Sequence, residues 1–413
     1  MKKIGLIINP VAGMGGSVGL KGTDHVVEEA LRRGAVPGSE KRAETALREL
    51  LPYKDELLIC TGAGHMGGEL AQRMGFRTEV LPAGTDTGAA NAPVDTAISA
   101  DLKTPADADI PADLKTPADT DILAASAFCF ATAGSDTIAL GKRLLNEQAD
   151  LLLFAGGDGT ARDIYQAVGT ELVCVGIPAG VKIHSPVYAK NPGAAGKLAA
   201  MWMSGRIKRY EEKEVLDIDE DAYRSGHINT ALYGYLKIPA ERALTQNRKA
   251  PTPLSDEAAI ESIAYEVTDH MEPDVVYLVG AGTTTRGVMK KLGLPNTLIG
   301  VDVVENGKVL ENDAYGERIL SHIRGKRAKL ILTVTGGQGF LFGRGNQQLT
   351  PEVIRTVGKE NLIILATSSK LAELRGNPLL VDTGDDALNE ELCGYYRVIT
   401  GYKEYTVCRV AAG

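Results

Sequence analysis

The stretch Leu151-Leu152-Leu153-Phe154-Ala155-Gly156-Gly157-Asp158-Gly159-Thr160-Ala161-Arg162-Asp163 decides the fold. Its apolar run, Leu151 to Ala155, reads as a strand buried on both faces, as in a parallel sheet covered by helices. Gly156, Gly157 and Gly159 let the backbone turn sharply and approach a ligand without Cβ clashes. Thr160 is expected to open a helix through Val168, whose free N–H groups and dipole favour an anion. Asp158, at the loop tip, can accept a hydroxyl proton or help hold Mg2+. The plainer alternative is a tight strand-to-helix turn with Asp158 as a turn former.

Upstream and downstream, the same alternation recurs. Ile4 to Ile8, Leu57 to Cys60, Arg77 to Leu81, Ala127 to Ala131 and Val173 to Ile177 read as strands. Helical patterns fall near Gly68 to Met74 and Asp136 to Asn146. The expectation is an α/β fold, with a Rossmann-like parallel-sheet domain over residues 1–195. From about 196 to 413 the pattern changes to strands with fewer clear helices: Lys213 to Ile218, Tyr233 to Ile238, Asp274 to Val279, Thr297 to Val304, Ala328 to Thr335 and Asn361 to Ala366. Tyr395 to Val410 alternates as terminal strands and is a candidate to pack back on the first domain. The active site is expected in the cleft between the two domains.

Composition narrows the function classes. A chain of 413 residues is too long for one ordinary core, and 44% hydrophobic with 24% charged residues is ordinary for a soluble enzyme. The formal net charge of −8 and the lack of a basic patch speak against nucleic acid as a partner. An acidic surface also means that any phosphate site must be built locally. The five cysteines, at 60, 129, 174, 393 and 408, have no Cys-x-x-Cys spacing, so free thiols are expected rather than disulfides or zinc. Without a leader pattern or a membrane-length apolar run, the cytoplasm is the expected location and no membrane partner is expected. Ala100 to Ile110 recurs as Ala112 to Ile122, which reads as a duplicated surface connection.

Four further glycine-rich segments follow strands. Asn9-Pro10-Val11-Ala12-Gly13-Met14-Gly15-Gly16 can contact a nucleotide through backbone N–H groups. Gly22-Thr23-Asp24 is placed to cap a helix over Val26 to Arg33. Gly62-Ala63-Gly64-His65-Met66-Gly67 has dinucleotide-loop spacing, but the acid expected about 20 residues on is not clean: Glu79 is early and Asp86 late. It reads either as a nucleotide-facing loop or as a structural turn. Gly280-Ala281-Gly282-Thr283-Thr284-Thr285-Arg286 offers hydroxyls, a helix N-terminus and a cation for a second phosphate or ribose contact; a capped helix with an outward Arg286 is the alternative. Near Thr335 to Asn346, Gln338, Arg344 and Asn346 are candidates to face the site, or the loop packs at a subunit interface.

Together, Leu151 to Thr160 resembles the phosphate-binding loop shared by NAD kinases, diacylglycerol and sphingosine kinases and 6-phosphofructokinases. Ile7 to Gly16 is similar to the N-terminal Asn-Pro-x-x-Gly segment of that superfamily. With Gly280 to Thr285, the chain resembles the ATP-NAD kinase family, in the predicted branch that includes members linked to acetoin catabolism. The resemblance covers most of the chain. It implies that Asp158 is the essential carboxylate and that the adenosine 2′-hydroxyl of NAD is phosphorylated, with ATP or another polyphosphate as donor and Mg2+ as cofactor. It further places Asn9, Pro10, Gly13, Gly156, Gly157, Gly159, Thr160, Gly282, Thr283 and Thr284 around substrate or nucleotide. Where the family carries an Asn-Asp or Asn-Glu pair, this chain has Asn229-Thr230. A same-fold kinase of another hydroxyl compound (polyol, nucleoside or lipid), an NAD-dependent oxidoreductase built on Gly62 to Gly67, and a nucleotide-sensing regulator stay open. Small molecules are the expected partners, and a homo-oligomer the expected assembly.

Overall fold

The computed structural model describes residues 1–20, 27–82, 132–181, 183–218, 230–241, 244–245 and 256–413. The expected cap at Gly22 to Asp24, the duplicated Ala100 to Ile122 segment, the strand at Ala127 to Ala131, Asp86, Cys129 and the Asn229 position lie outside the described residues.

The first sheet has five parallel strands: β1 (Lys2–Ile8), β2 (Leu57–Thr61), β3 (Arg77–Val80), β4 (Leu151–Gly156) and β5 (Cys174–Pro178), in the order β3-β2-β1-β4-β5. The chain winds outward one way through β2 and β3, then the other way through β4 and β5. The order therefore reverses between β1 and β4, where open α/β sheets bind ligands beyond the carboxyl ends of the strands.

Helices cover both faces, as the apolar run of β4 requires. On one face Leu151, Leu153 and Ala155 pack with Ala43, Ala46 and Leu47 of α2 (Ser39–Arg48) and with Ala195 and Leu198 of α6 (Pro192–Met203). On the other, Leu152 and Phe154 meet Leu140 and Leu144 of α4 (Gly134–Asn146) and Ala161 and Ile164 of α5 (Asp158–Val168). Alternate side chains point to opposite faces, so one apolar run fills two cores. The shorter α1 (Val27–Arg32) and α3 (Gly68–Arg73) complete this part. Residue 195, the expected division between domains, falls inside α6, and that helix belongs to the first core. A two-stranded antiparallel ribbon, β6 (Tyr210–Ile218) and β7 (Thr230–Pro239), lies against α5. There Gly234 packs on the Tyr165 ring, where a Cβ would sit 2.1 Å from a ring carbon.

The second sheet contains β8 (Val276–Val279), β9 (Val301–Glu305), β10 (Lys308–Ala314), β11 (Ala328–Thr333), β12 (Phe340–Phe342), β13 (Leu362–Leu365), β14 (Leu379–Val381), β15 (Gly394–Gly401) and β16 (Glu404–Ala412). Their order is β10-β9-β8-β11-β13-β15-β16-β14-β12. Neighbours β8, β11, β13 and β15 run parallel, while β9, β10 and β16 introduce antiparallel pairs. The terminal strands β15 and β16 pair with each other and with β13 and β14. This region is strand-rich as expected, and it also carries helices on both faces. α7 (Glu257–Asp269) and α8 (Thr283–Leu292) cover Tyr277, Val279, Ile331 and Leu365. α9 (Gly316–Ile323), α10 (Pro351–Val357) and α12 (Asp386–Leu392) cover Leu278, Leu330, Leu332 and Ile364. α11 (Ser368–Glu373) follows β13. Several of these helices are only two turns long, too short for a clear 3.6-residue period in the sequence.

Two expected elements start elsewhere. β9 begins at Val301 rather than Thr297, because Thr297 turns back to donate its N–H (2.8 Å) and hydroxyl (2.6 Å) to Asp302. β8 begins at Val276, after Asp274 has adopted a left-handed conformation (φ 56°). No helix among the described residues is long and apolar enough to cross a membrane.

Candidate functional site

β1, β4 and β5 end side by side, and the loops that leave them build one cluster. Helix α5 opens at Asp158, two residues earlier than expected, with extended Gly157 (φ −119°, ψ −168°) as its N-cap. The turn is this tight because Gly156 and Gly157 complete it alone. A Cβ on Gly156 would sit 2.3 Å from Thr160 Oγ1, and one on Gly157 3.1 Å from Gly180 Cα. Asp158 is therefore a buried first-turn residue, 6% exposed, rather than a loop tip. The same shift puts Asp163 in the second turn.

The Asp158 carboxylate is held rigidly. Its Oδ2 accepts the His184 backbone N–H at 2.7 Å and lies 3.2 Å from His184 Nδ1, while Oδ1 accepts the Ser185 N–H at 3.1 Å. Ser185 is fixed in turn by β6: its hydroxyl donates to the Leu216 carbonyl (2.8 Å) and accepts the Leu216 N–H (2.9 Å). Tyr188 donates its hydroxyl to the Gly157 carbonyl at 2.5 Å. Burial, with Asp158 nearby, holds the Tyr188 phenol well above its ordinary range, so it stays a donor. Oδ1, with one partner, keeps acceptor capacity beyond these bonds.

The loop after β1 closes the other side. Asn9 Nδ2 donates to Thr160 Oγ1 at 3.0 Å, and Asn9 Oδ1 accepts the Val11 N–H at 3.2 Å. Pro10 is buried beside it. Gly13 has φ +79°, and a Cβ there would lie 2.1 Å from the Ala179 carbonyl oxygen. Asn9, Pro10, Gly13, Gly156, Gly157, Asp158, Gly159 and Thr160 thus belong to one assembly. The first N–H groups of α5, without partners inside the helix, are available at its N-terminus.

Gly282, Thr283 and Thr284 lie in a different loop, at the carboxyl end of β8. Gly282 caps α8 with φ 139°, and Thr285 Oγ1 donates to the Gly282 carbonyl at 2.9 Å. Thr284 is buried and its hydroxyl accepts from the buried Lys370 Nζ at 2.9 Å. Arg286, the cation expected there, is exposed. β11 runs next to β8, and the segment beyond it reaches across to the first sheet: Gln338 Nε2 donates to the Ile183 carbonyl at 3.2 Å. That contact adjoins His184, which holds Asp158. The segment beyond the carboxyl end of β11 therefore adjoins the phosphate-loop cluster.

A second set of cross-links fixes the two sheets together. Arg42 makes a forked ion pair with Asp382 (2.7 and 3.2 Å) and donates to the Pro178 carbonyl at 3.2 Å. Burial disfavours the charged forms of both residues, but their mutual attraction outweighs it: Arg42 is held above and Asp382 below its ordinary value. Arg344 Nη2 donates to the Lys190 carbonyl at 3.1 Å. The loop at Gly62 to Gly67, by contrast, closes on itself: Gly67 N–H goes to Gly64 and Gly68 N–H to Gly62, at 3.2 and 3.0 Å. His65 lies 3.2 Å from Glu40. The internal bonds are those a structural turn makes.

His184, Ser185, Tyr188, Arg42, Asp382 and Lys370 escaped the sequence reading. No pattern in the segment after β5 marked the first three. The partners of Arg42 and Lys370 lie 340 and 86 positions away, with no local pattern. Cys60, Cys174, Cys393 and Cys408 are free thiols. Among the described residues no group of three or more His, Cys, Asp or Glu side chains is arranged to hold a metal alone. A Mg2+ ion needs fewer protein ligands, since one or two carboxylates and substrate phosphates usually suffice. The spare acceptor capacity of Asp158 fits that role.

Residues 4–207 match the family model of the ATP-NAD kinase N-terminal domain, and residues 272–410 match that of the ATP-NAD kinase C-terminal domain. No curated protein and no solved structure matches the chain.

Proposed function

We propose, for a chain that belongs to the ATP-NAD kinase family and is a kinase-type phosphotransferase, that it phosphorylates the adenosine 2′-hydroxyl of NAD to give NADP, with ATP or another polyphosphate as donor. The observation that carries this reading is the clamped Asp158 carboxylate at the reversal point of the first sheet, beside a glycine turn and the N-terminus of α5.

On this reading the residues divide the work. Gly156 and Gly157 present backbone to the donor phosphates without side-chain obstruction, and the α5 amides and dipole favour their charge. Asp158, fixed by two backbone N–H groups, orients the acceptor hydroxyl and takes up its proton. His184 Nδ1, 3.2 Å away, stands next along a proton path. Asn9 holds the β1 loop to Thr160, and Gly282, Thr283 and Thr284 at the start of α8 are assigned a contact with the nucleotide. Mg2+, when bound at Asp158 and the donor phosphates, would offset phosphate charge. We take the enzyme to act in the cytoplasm as a homo-oligomer, with a phosphate-binding unit that runs through α6 and a strand-rich unit after it.

The test is to incubate the purified protein with Mg2+-ATP or polyphosphate and a panel of hydroxyl acceptors that includes NAD. NADP detected by mass spectrometry is the expected product. Phosphorylation of another acceptor with NAD untouched would refute the substrate, and no transfer to any acceptor would refute the activity.

A further inference from the structure

We propose that Arg344 is a phosphate-binding residue of the Asp158 cleft, supplied by the second sheet to grip the phosphoryl donor; the identity of that ligand as a donor rests on the kinase reading above. Arg344 sits on the loop after β12, and this loop grips the segment that holds Asp158. Gly345 N–H and Gln347 Nε2 both donate to the Val181 carbonyl, at 3.2 and 2.9 Å, and Arg344 Nη2 donates to Lys190 at 3.1 Å. Those anchors hold the arginine within electrostatic reach of Asp158, Tyr188, Arg42 and Asp382.

Its hydrogen bonding is incomplete. A guanidinium has five donors, and Arg344 Nε is buried with no partner among the described residues. Its plane lies over the Phe340 ring, 4.8 Å from the centroid. Its charge is also poorly compensated. Asp382, the strongest attraction on it, is already forked onto Arg42, and Arg42 itself repels. Burial, the larger effect, pushes the guanidinium down to about 10. A residue meant only to brace two loops would have no use for a buried cation with an unmade donor. A phosphate supplies what is missing, because its oxygens match the planar fork and bring negative charge.

Binding of inorganic tripolyphosphate by calorimetry, in the full-length wild type, Arg344→Met and Arg344→Lys, tests this. Arg344→Met should weaken binding roughly 10- to 100-fold, the usual loss for a hydrogen bond to a charged group. Arg344→Lys keeps the charge but not the fork, and its affinity should fall between the other two. KM for the donor should rise in the same order, with kcat changing less. Equal tripolyphosphate affinity in wild type and Arg344→Met overturns the proposal, and so does a wild type that does not bind tripolyphosphate. Should Arg344→Met fail to fold, Arg344→Lys decides: unchanged affinity overturns the proposal and a clear fall supports it. A wild type that binds tripolyphosphate through Arg344 yet transfers no phosphoryl group supports the anion site and refutes the kinase reading instead.

Discussion

Asp158→Asn separates catalysis from architecture, and the structure sets both magnitudes. The native carboxylate accepts N–H groups from His184 and Ser185 on different oxygens. Asparagine has one acceptor oxygen, so its NH2 must face one of those donors. One bond is lost and one buried donor is stranded, a cost of about 1–3 kcal/mol. In a chain of this size that is a fall in Tm of a few degrees, roughly 2–4 °C per kcal/mol at most. Most molecules stay folded at 25 °C. Turnover should fall far more, about 10²- to 10⁴-fold, because the group that positions the hydroxyl and accepts its proton has been removed. The assay is phosphorylated acceptor per unit time, normalised to folded protein by circular dichroism. Glu147→Gln is the control: its exposed pair with Lys3 (3.1 Å) should contribute little to stability, with turnover unchanged. If Asp158→Asn loses a few degrees of Tm and keeps near-normal turnover, the carboxylate is a structural clamp and the mechanism is wrong.

Gly13→Ala should destabilise by more than about 2 kcal/mol in a denaturant titration, since a left-handed backbone is strained for alanine and the Cβ would sit 2.1 Å from the Ala179 carbonyl oxygen. A midpoint like that of wild type would show that the β1 and β5 loops are free to separate. Asp382→Asn leaves Arg42 and Arg344 facing each other and should cost roughly 3–5 kcal/mol. Asp382 is held below its ordinary value, so its stabilising contribution is present above a pH of about 3.9 and is lost as pH falls through the depressed folded value. Asp382→Asn should therefore flatten the acid limb of the stability curve, and an unchanged limb would count against the pair. Burial pushes the Cys60 thiol up to about 11 and Cys174 higher still, so neither should react with a thiol reagent at pH 8 before unfolding. Rapid native-state labelling at Cys60, mapped by peptide mass spectrometry, would contradict its buried placement.

The first sheet, and the turn that leaves β4, follow from the sequence alone. A run such as Leu151 to Ala155 can be satisfied only by apolar cover on both faces, and the glycines after it allow only a tight turn into a helix. Those constraints are local, which is why β1, β2, β3, β4 and β5 were legible and why Asn9, Gly13, Gly156 and Asp158 could be assigned to the turns at strand ends. The state of the key carboxylate was decided elsewhere. Asp158 looked like an exposed loop tip, but residues 26 and 27 positions later bury and clamp it. The short helices of the second sheet had too few turns to show a period, and Arg42 and Lys370 had nothing nearby to mark them. Arg42 meets Asp382 only when the two sheets close on each other, and Lys370 meets Thr284 only when two helices of the second sheet come together. Hydrogen bonds and ion pairs between distant segments depend on geometry in space, and periodicity along the chain carries no record of that.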